Sequence, residues 1–128
     1  MYAYINGIVD ELLTDRAVLE AMLFWADLTR QTRALLLQGA GHKIGNLLNA
    51  SFDMRRKIYR ISQGNIEMVE TARAAGASAK FSGSGGAIVG TYSDEAMFQR
   101  LTAALEARHI KVFKPEFIPA AEENKYDT

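Results

Sequence analysis

Ala77-Ser78-Ala79-Lys80-Phe81-Ser82-Gly83-Ser84-Gly85-Gly86-Ala87-Ile88-Val89-Gly90-Thr91-Tyr92 is the stretch in which this chain changes its hydrophobic period. Up to Gly76 the apolar residues recur every three or four positions, and from Ala77 the period is two, so helices give way to strands. Two short β-type runs, Ala77–Ser82 and Ala87–Tyr92, flank Gly83-Ser84-Gly85-Gly86 and predict an antiparallel hairpin. Three glycines in four residues permit positive φ and let a ligand approach bare backbone. The N–H groups of such a loop can form a concave nest for an anion, with hydroxyls from Ser82 and Ser84 and a positive charge from Lys80. The plain alternative is a glycine-rich turn that binds nothing. The loop is not a Walker A motif, because no Gly-Lys-Ser/Thr follows the four-residue gap. Nor is it a dinucleotide fingerprint, since a strand follows where a helix N-terminus would be needed. Ser82 and Ser84 have no base partner visible in the sequence, which argues against a serine nucleophile.

Downstream, Ser93 is expected to cap a helix with Asp94 and Glu95 in its first turn and Met97, Leu101, Ala104 and Leu105 facing inward. Ile110–Phe117 is β-branched and aromatic and reads as a final strand. The tail from Ala120 is polar and is expected to fray. Upstream, Thr14 and Asp15 open a helix that runs to Gln38, with Val18, Met22, Trp25, Leu28, Thr32 and Leu35 on one face. Gly39 and Gly41 stop it. A second helix is expected from about His42 to Tyr59, with Ile44, Leu47, Ser51, Met54, Ile58 and Ile61 as its stripe and a break at Gln63-Gly64. A third follows Asn65, with Ile66, Val69 and Ala72 inward, and ends at Gly76. Tyr2–Leu13 reads either as a strand entering a helical turn or as one helix. Helices first, then strand, loop, strand, helix and strand, make an antiparallel sheet with helices on one face, of α+β class.

The chain has 128 residues, enough for one domain (1–128, with 1–14 and 119–128 peripheral) and a core that needs no metal or disulfide staple. Lys plus Arg and Asp plus Glu each total 15, so no global field draws the chain to nucleic acid or anionic lipid. The absence of cysteine removes disulfides, thiolate metal sites and cysteine nucleophiles, and fits a reducing cytoplasm. His42 and His109 lie far apart, which disfavours a histidine metal site. No apolar run approaches the roughly 20 residues of a membrane span, and no basic-then-apolar start marks a signal peptide.

Asn49-Ala50-Ser51-Phe52-Asp53-Met54-Arg55-Arg56 carries the other cluster of chemistry. Arginine suits bidentate recognition of a carboxylate or phosphate. The bland reading is a solvated face with Asp53 paired to Arg56 or Lys57, worth a few tenths of a kcal/mol. Glu67 and Glu70 share a helix face and read as surface charges, while Phe24 and Trp25 read as core.

Two blocks taken together are more specific than either alone. Asn65-Ile66-Glu67-Met68-Val69-Glu70-Thr71-Ala72-Arg73, followed by Ala79-Lys80-Phe81-Ser82-Gly83-Ser84-Gly85-Gly86-Ala87, resembles the C-terminal region of the galactokinase–homoserine kinase–mevalonate kinase–phosphomevalonate kinase (GHMP) superfamily. Phe52-Asp53-Met54-Arg55-Arg56 and the Asn-Ile-Glu-Met run look closest to its glucuronokinase branch, and the similarity covers roughly residues 18 to 118. The resemblance implies a ferredoxin-like fold with additional N-terminal helices packed on one face. It implies that Ser82, Gly83, Ser84, Gly85 and Gly86 form the third signature loop, beside nucleotide and sugar. Asp53, Arg55, Arg56 and Lys80 are the substrate-side candidates, chosen by charge. ATP and Mg2+ are implied for the complete kinase.

The resemblance also places the main phosphate loop and the catalytic acid or magnesium ligands in an N-terminal domain, and nothing in this sequence supplies them. The connector from Arg56 to Asn65 is shorter than in the glucuronokinase branch, which leaves the sugar open. Phosphoryl transfer needs an oriented, metal-bound triphosphate and a positioned acceptor, so the chain alone is expected not to turn over. The expected partners are a separately encoded N-terminal kinase domain or a second copy in a homodimer. A non-enzymatic, ferredoxin-like small-molecule-binding or oligomerisation module is the alternative.

Overall fold

The first helix is started by its own side chain. A computed structural model describes residues 15–118, in which Asp15 is extended and its carboxylate accepts the N–H of Ala17 at 2.8 Å. That bond satisfies one donor that a helix start leaves without a partner. The cap is therefore Asp15; Thr14, Tyr2–Leu13 and the tail from Ala120 lie outside the described residues.

Helix α1, Arg16–Leu37, ends where Gly39 takes φ +72° and the N–H of Ala40 returns to the carbonyl of Leu35 at 2.8 Å. A 3-10 turn at Gly41–Lys43 reverses the chain into α2, Gly45–Ile58. The second helix thus begins later than the expected His42, because its entry is wound tighter than an α-turn. Chain continuation through Tyr59 is extended, and α3 is Gln63–Ala74. Gln63 and Gly64, expected to break a helix, are the first two residues of one. Glycine is tolerable there because first-turn amides have no intrahelical partner to lose.

Gly76, at φ +100°, closes α3 and leads into the hairpin. Strand β1 is Lys80–Phe81 and β2 is Ile88–Val89, antiparallel with Lys80 opposite Val89 and Phe81 opposite Ile88. The same register continues outward, since Ser78 N–H donates to Thr91 C=O at 3.0 Å and Ser82 N–H to Ala87 C=O at 3.2 Å. Asp94, rather than Ser93, caps α4, Glu95–Glu106, by accepting the N–H of Met97 at 2.8 Å.

Ile110–Phe117, expected as a strand, pairs with nothing among the described residues. Ile110 and Val112 rest on the core while Phe113 and Phe117 face outward. The alternation is real, but strand-forming residues need a neighbouring strand to complete a ladder. The sheet therefore has two strands, order β1-β2, with four α-helices around it among the described residues. The α+β class holds, and a two-stranded sheet does not establish the ferredoxin-like arrangement. Lys114 in this segment reaches Glu95 at 2.7 Å and lies over the rings of Phe98 and Tyr92. The hydrogen bond to Glu95, then that to Tyr92, holds its ammonium above the usual 10.5. No helix among the described residues is long and apolar enough to cross a membrane.

The core joins α2, α3, the hairpin and α4 through Phe52, Met68, Val69, Ala72, Phe81 and Leu105. Phe52, 2% exposed, is the deepest residue of α2 and packs edge-on to Phe81 at 5.2 Å. Burying a ring of this size contributes about 2–3 kcal/mol. The expected stripe through Ser51 and Met54 lies to the flanks of Phe52 and is half-buried. Helix α2 packs on α1 and on β1, so the residues between those two neighbours go deepest.

Candidate functional site

The loop between β1 and β2 is held from two sides by residues distant in sequence. From α2, Arg55 Nη1 donates to the carbonyl of Gly83 at 2.8 Å and Nη2 to that of Ser84 at 3.3 Å. Its guanidinium lies over the Phe81 ring at 5.0 Å, which fixes the plane of the fork. From α3, Asn65 Oδ1 accepts the N–H of Gly86 at 3.2 Å. Gly85 and Gly86 sit at φ +137° and +77°, where L side chains are strained. Ser82, Gly83, Ser84 and Gly86 are exposed and Gly85 half-buried. The loop is therefore a compact, solvent-facing turn and not one sealed beneath its own side chains.

Beside it opens a cavity of ≈ 300 Å³, lined by Trp25, Arg55, Tyr59, Lys80 and the edges of Phe52 and Phe81. Trp25 is anchored by donating its indole N–H to the carbonyl of Ser51 at 3.1 Å. Lys80 Nζ donates to its neighbour's carbonyl, that of Phe81, at 2.7 Å and remains half-buried in the wall. The site thus combines aromatic faces with two cations, and two of its lining residues, Arg55 and Phe81, connect it to the glycine turn. A second, shallower groove of ≈ 520 Å³ runs between α1 and α2 past Leu28, Leu36, Leu47 and Leu48 to Lys80.

The charge cluster on α2 divides. Arg55 and Lys80 reach the cavity, whereas Asp53 and Arg56 do not line it. Asp53 pairs with Arg73 at 2.6 Å and Arg56 with Glu70 at 3.0 Å, so neither makes the local pair that spacing suggested. Arg73 also donates to the carbonyls of Asn49 and Ala79, and Asn49 Oδ1 accepts the N–H of Ala79. These bonds tie α2, α3 and β1 together at the base of the hairpin. Glu67 meets Arg108 at 3.2 Å and stays on the surface.

Sequence reasoning passed over Tyr59 and the role of Asn65, and took Trp25 for core. Asn65 carried one signal: it lies inside the block that pairs with the glycine loop. Among the described residues, no three acidic or histidine side chains gather as a metal site. The loop's glycines and exposed amides fit a phosphate group.

No family model and no solved structure matches this chain. Two curated plant proteins do, both from Arabidopsis thaliana. The chain is 41% identical over 78 residues to probable glucuronokinase 2 and 40% identical over 78 residues to glucuronokinase 1. Each match covers 59% of this chain, but only 21% and 22% of those proteins. Identity at this level supports a relationship to the GHMP-type kinases, on the glucuronokinase side of that group.

Proposed function

We propose that this chain contributes the glycine-loop segment of a GHMP-type kinase acting on a sugar or sugar acid. The loop Ser82–Gly86 shapes the phosphate side of the site, and the aromatic cavity beside it takes the acceptor. The observation that carries this reading is the placement of Arg55, Lys80, Trp25 and Tyr59 around one cavity, with Arg55 also bonded to the glycine turn. Aromatic faces suit the C–H faces of a pyranose, and Lys80 suits a ring carboxylate. Asp53 and Arg56 already hold partners and are assigned to stability. ATP and Mg2+ serve the whole kinase, whose remaining machinery comes from polypeptide beyond the segment shared with the longer relatives.

Trp25 is the only tryptophan, so its emission reports directly on the cavity. Titrating glucuronate should change that emission saturably, while glucose has a weaker effect. Lys80→Ala should abolish the difference between the two. A flat response to glucuronate in the wild-type chain would remove the cavity from consideration as an acceptor site.

A second reading has its own support. Met22 and Leu23 lie two heptads from Leu36 and Leu37, and all four are exposed on α1. An apolar face of this kind suits an oligomerisation module, or the surface against which the rest of a kinase packs. A stable homodimer that binds glucuronate and has no kinase partner would favour the module.

A further inference from the structure

Charge makes Arg55 a candidate for touching substrate, yet its fork is already occupied by backbone carbonyls. What that does to the loop follows from peptide geometry. A trans peptide unit points its C=O and N–H in opposite directions, and no peptide bond among the described residues is cis. The carbonyl of Gly83 shares its unit with the N–H of Ser84, and the carbonyl of Ser84 shares its unit with the N–H of Gly85. By drawing both carbonyls toward itself, Arg55 turns both amides the opposite way. Two nearby amides are already committed, that of Ser82 to Ala87 and that of Gly86 to Asn65. Nothing lies within 4 Å of where a Cβ on Gly83 or Gly86 would stand, while at Gly85 Asn65 and Phe81 come to 3.2 Å and 3.9 Å, so the loop is open on either side of Gly85. A cation bonded to the oxygen also polarises the whole peptide unit, which makes its N–H a better donor.

We propose that Arg55 is the positioning residue of the glycine loop, holding the Ser84 and Gly85 amides as an adjacent pair of donors for a phosphoryl-class anion. This rests on the reading of the loop as a phosphate-facing turn. It gives Arg55 a job behind the anion instead of in contact with it. Geometry, not charge, is then what matters at position 55. Lysine keeps the charge but cannot bridge two carbonyls at once.

The test uses the ¹⁵N-labelled chain and inorganic pyrophosphate as the probe, with Arg55→Lys as the variant. Unchanged resonances of Val69 and Leu105 verify that the variant keeps its core. In the wild-type chain the Ser84 and Gly85 amides should shift saturably with pyrophosphate. In Arg55→Lys the affinity should fall roughly tenfold or more, the scale of a lost charge-assisted bond. Without any ligand, the same two amides should lose backbone order in the variant. Binding within about twofold of wild type, with unchanged loop order, would overturn the positioning role and leave the phosphate-facing reading standing. Wild-type amides that ignore pyrophosphate would overturn both.

Discussion

Gly90 has less freedom to vary than any glycine in the signature loop. A Cβ placed there would lie 1.8 Å from the carbonyl oxygen of Ser78, a backbone atom that cannot swing aside. The two strands approach so closely because Ser78 also sends its hydroxyl across, accepting the N–H of Thr91 at 2.8 Å. Gly90→Ala should therefore separate the outer end of the hairpin and lower stability by about 3 kcal/mol, the upper range for forced overpacking. Gly64→Ala is the internal control: nothing lies within 4 Å of its added Cβ, and it sits in the first turn of α3. That substitution should stabilise by about 0.5 kcal/mol through the unfolded chain. Urea unfolding of the two variants measures both, and a Gly90→Ala chain as stable as wild type would contradict the close approach.

Between elements, stability is concentrated in Arg73 and not in the more numerous surface pairs. Arg73 leaves α3, meets Asp53 on α2, and bonds the carbonyls of Asn49 and Ala79, so one guanidinium joins two helices and the chain entering β1. It stands over the Phe52 ring at 5.3 Å with most of its length covered. Arg56 also bridges α2 and α3, through Glu70, but both side chains of that pair are about half exposed. Arg73→Met should cost about 2 kcal/mol, as expected for several hydrogen bonds to a partly covered charge. Arg56→Met should cost less than about 0.5 kcal/mol, as exposed pairs do. Equal effects in chemical denaturation would mean that burial does not separate them. The charge-bearing segment Asn49–Arg56 was legible as important, but spacing within one helix could not reveal partners 14 and 20 residues away.

At the scale of the molecule, one unsatisfied feature is the outer face of α1. Leu23 and Leu37 are 70% and 71% exposed on a helix whose opposite side is already packed. Water contact with such a stripe is relieved by association. The isolated chain is expected to run as a dimer in light scattering, and Leu23→Glu with Leu37→Glu together should return it to the mass of one chain. A single-chain mass for the wild-type protein at high micromolar concentration would count against this face as a self-association surface.

Local chemistry determined a good deal from the sequence alone. The helix–hairpin–helix order, the α+β class, the turn at Gly83–Gly86 and the kinship it signals are written in period, glycine content and short blocks, all of which depend on near neighbours. Caps slipped by a residue at Thr14/Asp15 and Ser93/Asp94 because adjacent residues capable of capping compete, and only the local backbone decides between them. Tertiary structure alone decided that Phe52 and not Met54 is the deepest side chain of α2, that Ile110–Phe117 finds no ladder among the described residues, and that Trp25 borders a cavity. It also decided that Arg55 grips the glycine loop from 28 residues away while Arg56 turns outward to Glu70. Successive residues on a helix point about 100° apart, so which of two arginines meets the loop depends on how α2 is rotated against its neighbours, and that rotation is set by packing.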